Sequence, residues 1–136
     1  MPRELVKDNR CFVCGSQNKH GLNLNVDKDG EKGVKAEFIA HDHYRGWNEY
    51  LHGGVISLIF DELLGWLSLY LGYDAMTARF EMRYRKPVPL GSKIIFTGSL
   101  EKEYKRLLDI NTFAYLDDGS VIAEGKGRMM IINRRK

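Results

Sequence analysis

The sequence predicts an α+β fold in which one long helix lies on one face of an antiparallel sheet. An apolar stretch that begins at His52-Gly53-Gly54 is long enough for a helix of about five turns. Segments on both sides of this stretch alternate apolar and polar residues with the period of two that is typical of strands. Because the helix and the strands are segregated along the chain, the pattern indicates α+β rather than alternating α/β architecture.

The strands are recognised by their alternation. In residues 34–38, for example, apolar Val, Ala and Phe alternate with Lys and Glu. The residues 117–120, Asp-Asp-Gly-Ser, supply turn chemistry that joins the last two strands in a hairpin. We predict strands at residues 22–26, 34–38, 76–84, 92–103, 106–116 and 120–132.

The predicted helix is apolar around most of its circumference, with one exception. Small and polar residues recur at steps of three or four and therefore fall on one narrow line, the small-residue stripe. Asp61 belongs to the stripe, whereas the neighbouring Glu62 points about 100° away from it. The stripe fits either close packing against another element or a functional surface. Its members are Ser57, Asp61, Gly65, Ser68 and Gly72.

The start of this helix favours the functional interpretation. Gly53 and Gly54 let the backbone turn tightly and let a ligand approach it. The free N–H groups and the positive dipole end of a helix stabilise a developing negative charge. Asp61 lies two turns further along, where a carboxylate is costly to bury without a partner. An oxyanion site and a carboxylate on one helix predict acyl chemistry, and His52 lacks the spaced Ser and acid of a triad.

The length, composition and net charge of the chain limit the classes of protein to which it can belong. The chain has 136 residues, 43% of them hydrophobic and 29% charged, which fits one globular domain over residues 1–136. Residues 1–10 and 133–136 are polar and are expected to be loose. The net charge of +3 is too small to indicate nucleic-acid binding. We expect no membrane span, because two carboxylates lie mid-helix, and a cytoplasmic location, because the first residues lack an apolar signal segment.

Two groups of basic residues are candidates for phosphate contacts. Arg83, Arg85 and Lys86 lie beside a proline-containing turn, and Lys105 and Arg106 lie at a second strand end. Arginine and lysine bind phosphate oxygens through charge-assisted hydrogen bonds. The alternative is that they protect a sheet edge from pairing with another chain.

A lone Cys-x-x-Cys motif does not by itself predict a metal site. Cys11 and Cys14 would need two further ligands to bind zinc. His20, His41 and His43 are available, but their spacing matches no familiar site. We therefore expect no metal and two reduced thiols.

The helix entry and the exit of the following strand resemble those of hotdog-fold acyl-CoA thioesterases, in particular the PaaI-like and THEM4-like subgroup. The resemblance covers residues 11–132. It is carried by Gly-Trp-Asn at 46–48, Leu-His-Gly-Gly at 51–54, Asp61, Tyr-Arg-Lys-Pro-Val-Pro-Leu-Gly at 84–91, and Cys-Phe-Val-Cys-Gly at 11–15.

The resemblance implies a role for each residue of the motif. The amide of Gly54, with that of Gly53, would polarise the thioester carbonyl. Asp61 from the other subunit would act as general base or as nucleophile. Thr77 would position water or hydrogen-bond the aspartate, and His52 would orient the loop and the thioester.

The resemblance also implies an assembly: a central helix wrapped by a curved antiparallel sheet of about five to six strands, in a homodimer or homotetramer. The substrate would be an acyl-CoA, and no cofactor is expected. Two alternatives remain from the sequence, a non-catalytic acyl-CoA-binding or regulatory hotdog domain and a hotdog hydratase, which usually needs a differently spaced His and acid.

Overall fold

A computed structural model describes residues 8–135 as one antiparallel sheet of six strands packed on one long helix. The sheet order is β1-β2-β4-β5-β6-β3, and every neighbouring pair is antiparallel. This architecture confirms the predicted α+β class and strand number. The elements are β1 (Val26–Lys28), β2 (Gly33–Ile39), α1 (Gly53–Tyr70), β3 (Tyr73–Tyr84), β4 (Lys93–Tyr104), β5 (Leu107–Leu116) and β6 (Val121–Arg134), with a 3-10 turn at Asp42–Tyr44.

Five of the six predicted strands are observed with small shifts at their ends, and the first prediction is wrong for most of its length. Only the last residue of the predicted strand 22–26 belongs to β1. The backbone N–H groups of Leu22 and Leu24 instead donate to the carbonyls of Phe12 and Val13. The alternating segment at residues 22–24 therefore lies against Phe12 and Val13 near the N-terminus and does not pair with a strand.

The strand β3 forms one edge of the sheet. It pairs with β6, the last strand of the chain, and not with β4, which follows it in sequence. Within the described residues its other side has no partner strand. β3 is 12 residues long, so this edge presents a long row of unpaired backbone groups, which natural proteins usually cover or pair.

One face of α1 supplies much of the core. The fully buried Phe60 contacts Phe96 edge-on, with ring centroids 5.7 Å apart. The small-residue stripe is less buried: Asp61 is exposed and Ser68 is buried. The apolar circumference of the helix predicts burial on nearly all sides, and this prediction is wrong for the single chain. The buried residues of α1 are Ile56, Ile59, Phe60, Leu63, Leu64, Leu67 and Ser68.

The helix α1 is long and apolar enough, by length and composition only, to cross a membrane. Its mean hydropathy is 1.3 over 18 residues, and the core helix of a globular fold passes the same test. In this structure 39% of the helix is buried inside the fold. The helix begins at the cap residue His52 and ends before Gly72, whose φ of 94° favours glycine.

The C-terminal residues are ordered as far as the structure describes them, contrary to the loose tail expected for 133–136. β6 continues to Arg134, and Nε of Arg135 donates to Oδ1 of the fully buried Asp74 at 2.6 Å. A buried carboxylate needs such a partner, which explains why the tail is held in place. Residues 1–7 and 136, also expected to be loose, lie outside the described residues.

The helix lies close to the sheet because β6 has a glycine beneath it. A Cβ on Gly127 would lie 2.4 Å from Cδ1 of Leu64, which is itself fully buried. Interiors are packed so densely that an added methyl group must displace its neighbours. Gly127 therefore sets the distance between α1 and the sheet.

We expect Gly127→Ala to lower the free energy of unfolding by about 1–3 kcal/mol, the usual cost of overpacking a core. Lys126→Ala is the matched control, because that side chain is exposed next to Gly127, and its effect should stay within about 0.5 kcal/mol. Urea unfolding measures both variants. Equal stability of Gly127→Ala and the unmodified protein would show that the close approach is not required.

Candidate active site

A carboxylate and a hydroxyl meet between α1 and β3. The hydroxyl of Thr77 donates to Oδ1 of Asp61 at 2.7 Å. Both residues are exposed in the single chain. The hydrogen bond fixes one carboxylate oxygen and leaves the other, Oδ2, open to a substrate or a water molecule. The structure thus brings together two residues that the sequence predicted for one site.

A β-bulge lies at this point of β3. The register between β3 and β6 shifts between Thr77 and Arg79, so Ala78 has no direct partner in β6. Bulges bend a strand and re-aim its side chains, and they are common beside active sites. The bulge therefore lies next to Thr77, the residue of β3 that donates a hydrogen bond to Asp61.

The start of α1 is held by two hydrogen bonds. Nδ1 of His52 accepts the N–H of Gly54 at 2.8 Å, so the histidine is the helix cap. The hydroxyl of Tyr84, at the end of β3, donates to the carbonyl of Gly53 at 2.7 Å. A Cβ on Gly53 would lie 3.3 Å from the Tyr84 ring, which explains why a residue without a side chain suits this position.

The cap changes the expected role of the helix start. The Gly54 N–H, which the resemblance assigns to the thioester oxygen, is occupied by the imidazole of His52 in this structure. No described residue accepts a hydrogen bond from the N–H of Gly53. The sequence analysis did not identify this cap, since histidine is not among the usual cap residues.

The helix start and the carboxylate are separated along α1. Gly54 and Asp61 are seven residues apart, which corresponds to about 10 Å along the helix axis. A donor to a carbonyl oxygen and a base for the attacking water must both lie within hydrogen-bond reach of one reacting group. One chain therefore does not bring these two groups to the same thioester.

The predicted basic residues lie at opposite ends of the sheet. Tyr84, next to Arg85, pairs with Ala123 at one end of β6, whereas Leu107, next to Arg106, pairs with Met130 near the other end. The structure therefore does not unite the two groups within one chain.

The first basic group lies near the helix start. Lys86 lines a shallow cavity there together with Gly53. Arg85 forms an ion pair of 3.0 Å with Glu124, and its hydrogen bond lowers the pKa of that carboxyl below the ordinary value. Arg83 lines a different depression, beside Glu124.

The second basic group lies at the hairpin between β4 and β5. Lys105 has a positive φ of 54° in this tight turn, and its ammonium lies 5.3 Å from the centroid of the Tyr104 ring. The backbone carbonyl of Arg106 accepts the N–H of Ile131.

The second carboxylate of α1 belongs to a separate cluster. The Sγ atom of Cys11 lies 3.9 and 3.8 Å from the two carboxylate oxygens of Glu62, and Nε1 of Trp66 donates to Oε2 at 3.1 Å. Burial, together with hydrogen bonds to Glu62 and Cys11, raises the pKa of the Cys14 thiol to about 12. This cluster could not be predicted from the sequence, because Glu62 and Cys11 are 51 positions apart.

A cavity of about 590 Å³ adjoins this cluster. Arg10, Cys11 and Glu62 line one part of it, and Gly65 and Leu69 on α1 line another. The cavity therefore extends from the cysteines along the C-terminal half of α1, and Asp61 is not among its lining residues.

The sequence profile of the thioesterase superfamily matches residues 48–123, more than half of the chain. That segment includes the helix start, Asp61, Thr77 and most of the sheet. The chain therefore belongs to the thioesterase superfamily.

The curated proteins that this chain resembles include acyl-coenzyme A thioesterases. The chain is 29% identical over 107 residues to the acyl-coenzyme A thioesterase THEM4 of Mus musculus, covering 78% of this chain and 46% of that protein. The THEM4 of Bos taurus is 24% identical over 135 residues, covering 98% and 56%. The chain thus spans about half the length of the curated relatives it matches.

Solved structures confirm the hotdog fold. A Streptococcus mutans protein bound to acetyl CoA superimposes with a TM-score of 0.79 at 20% identity, covering 84% of this chain and 92% of that one. A hypothetical thioesterase of Streptococcus pneumoniae with an Asp replaced by Ala superimposes with a TM-score of 0.76 at 16% identity, covering 80% and 90%. The same protein has also been solved with a Thr replaced by Ala, sixteen positions further along.

Proposed function

We propose that this protein hydrolyses acyl-CoA thioesters at a site built from two subunits. The observation that carries the proposal is the hydrogen bond of 2.7 Å from Thr77 to Asp61, a carboxylate on a helix whose first amide, that of Gly53, has no partner among the described residues. Membership of the thioesterase superfamily and similarity to acyl-coenzyme A thioesterases support it. The Asp and Thr altered in the Streptococcus pneumoniae protein have the same spacing as Asp61 and Thr77, which supports the choice of residues.

The chemistry follows from these groups. Asp61 accepts a proton from water as its oxygen attacks the thioester carbonyl, and the carbonyl oxygen becomes an oxyanion. Collapse of this tetrahedral intermediate breaks the carbon–sulfur bond and releases the carboxylic acid and the CoA thiol, which takes up the proton. Direct attack by Asp61, followed by hydrolysis of an anhydride, is the alternative route. The Thr77 hydroxyl holds the carboxylate in one orientation for either route.

The amides at the start of α1 stabilise the oxyanion in this proposal. Preorganised backbone donors of this type typically contribute about 100- to 1,000-fold in rate. The N–H of Gly53 has no partner among the described residues and is available at once. The N–H of Gly54 becomes available when the His52 ring turns away, so we assign His52 a positioning role at the helix start.

Two subunits are needed because the helix start and Asp61 of one chain are about 10 Å apart along α1. The free edge of β3 provides the surface for the second subunit: pairing two copies of this 12-residue strand satisfies its backbone groups. Such pairing also covers the exposed carboxylate side of α1. We propose a homodimer as the functional unit, or a homotetramer of two such dimers.

We expect Asp61→Ala and Asp61→Asn to lower kcat at least about 100-fold, because either change removes the proton acceptor. Asp29→Asn, an exposed carboxylate in the turn between β1 and β2, is the control and should keep full activity. The assay is a panel of acyl-CoA substrates monitored by release of free thiol. CoA binding without any thiol release would favour the non-catalytic acyl-CoA-binding domain instead.

The Thr77 hydroxyl gives a second test. Thr77→Val should lower kcat about 10- to 100-fold, because a hydrogen bond to a charged group contributes about 1.5–3 kcal/mol. Thr77→Ser keeps the hydroxyl and should retain most of the activity. Steady-state kinetics on both variants measures the contribution of the hydroxyl to kcat, and circular dichroism checks that the variants are folded. Full activity of a folded Thr77→Val variant would remove the hydroxyl from the mechanism.

Subunit mixing tests the shared site. Asp61→Ala and Gly54→Pro subunits are each expected to be inactive, since proline removes the amide donor. Random co-assembly makes about half of the dimers mixed, and each mixed dimer has one intact site of two, so activity should return to about a quarter of normal. If the mixture stays inactive although mixed dimers form, each chain carries its own complete site.

The basic residues near the helix start are proposed to contact the CoA phosphates. Arg83→Glu and Lys86→Glu should raise KM for acyl-CoA with little change in kcat, the signature of lost uniform binding. The effect should shrink at high salt and vanish with a short thioester that lacks the nucleotide. Lys28→Glu on the opposite edge strand is the control. An equal loss with both substrates would assign these residues to the fold. The separate position of Lys105 and Arg106 makes their contribution dependent on the second subunit.

A further inference from the structure

We propose that Cys11, Cys14 and Glu62 form a binding site for one divalent zinc-like ion, which holds the N-terminal segment on α1. This group is the one set of at least three potential ligands that the structure brings together within residues 8–135. The sequence alone predicts no metal, because no further ligand lies at a familiar spacing from the two cysteines. The fold adds the third ligand from the middle of the helix.

The distances between the three ligand atoms suit tetrahedral coordination of an ion. One ligand atom from each of the three residues lies within 4.8 Å of the others, and Sγ of Cys11 is 3.8 Å from the nearer oxygen of Glu62. Zinc bonds of about 2.3 Å to sulfur and about 2.0 Å to oxygen place these two atoms roughly 3.5 Å apart in a tetrahedron. Closure around an ion therefore requires movements of a few tenths of an ångström to about 1 Å, well within side-chain freedom.

The backbone of residues 11–15, the cysteine turn, is built to present both thiols on one side. The N–H of Gly15 donates to the carbonyl of Cys11 at 2.9 Å, and the N–H of Val13 points at Sγ of Cys11 at 3.4 Å. A Cβ on Gly15 would lie 2.4 Å from the nitrogen of Cys11, so this tight turn requires glycine. An amide directed at a sulfur atom stabilises the thiolate form that a metal binds.

The electrostatics of the cluster also favour a cation. Two thiols and a carboxylate crowd together, and the ion pairs of the described residues include none to Glu62. The other charged or titratable groups that face the same cavity are Asp8, Arg10 and Tyr73. A divalent ion replaces the thiol protons and balances the charge of two thiolates and the carboxylate. The indole N–H of Trp66 donates to Glu62 and orients the carboxylate as an outer-shell partner.

The proposed ion has a structural role, separate from thioester hydrolysis. Glu62 points about 100° around the helix from Asp61, so the ion does not reach the substrate carbonyl. Zinc would instead join the cysteine turn to the centre of α1 and close one side of the adjoining cavity. The fourth position faces this cavity and is open to a water molecule. Binding must release thiol protons, so affinity rises with pH.

The test uses the whole reduced protein after treatment with a chelator. Co²⁺ titration should give one equivalent of tetrahedral cobalt with a sulfur-to-cobalt charge-transfer band, and Zn²⁺ should displace it. Cys11→Ser and Cys14→Ser should each abolish the band. Glu62→Gln should weaken binding at least about tenfold, a typical loss for a disturbed metal site. Glu31→Gln, an exposed carboxylate in the turn between β1 and β2, is the control and should bind normally.

A second readout separates a site from adventitious binding. Zn²⁺ should protect both thiols from alkylation and protect residues 8–24 from proteolysis in the unmodified protein, but not in Cys14→Ser. The absence of a charge-transfer band in the reduced protein would overturn the proposal. Unchanged affinity in Glu62→Gln would also overturn it, because the two cysteines alone would then account for binding. Formation of a Cys11–Cys14 disulfide without any metal uptake would identify the pair as a redox element instead.

Discussion

The close packing of α1 against the sheet is the constraint on which the rest of the structure depends. Large apolar side chains of the helix fill the concave face of the sheet, and Gly127 lets the backbone of β6 approach Leu64. This contact fixes the rotation of the helix about its axis. Once the rotation is fixed, the direction of every other residue on α1 follows from helical geometry.

Helical geometry then separates two neighbouring carboxylates into two environments. Asp61 faces the free edge strand and meets Thr77, whereas Glu62 faces the N-terminal segment and meets Cys11. The separation is a consequence of about 100° of rotation per residue. A shift of α1 by one residue would put Glu62 or Phe60 at the position of Asp61, so correct core packing is also a requirement for the candidate active site.

The free edge of β3 connects the fold to the proposed assembly. β3 carries Thr77 and a bulge at its centre and Tyr84 at its end, where Tyr84 binds the carbonyl of Gly53. The same strand therefore contacts both parts of α1 that the proposed chemistry uses. Because these two parts are about 10 Å apart in one chain, a second copy of the edge strand is the simplest way to bring them together.

Local patterns in the sequence determined the element types and much of the candidate site. Period-two alternation predicted five of the strands, the apolar run predicted α1, and the spacing on one helix face distinguished Asp61 from Glu62. The alternation at residues 22–26 failed because it reports which side chains are buried and not what buries them. Leu24 is buried, yet its backbone N–H donates to the carbonyl of Val13 near the N-terminus and not to a neighbouring strand.

Only the tertiary structure decided which distant residues meet. The sequence carries no information on the distance between Cys11 and Glu62, which are 51 positions apart, or on the pairing of β3 with the last strand. The buried Asp74 likewise acquires its partner Arg135 through the same pairing, which orders a tail whose composition predicts looseness. The physical reason is that periodicity and capping are short-range properties of the chain, whereas these contacts arise from the packing of one helix on a sheet in which β6 lies between β5 and the edge strand β3.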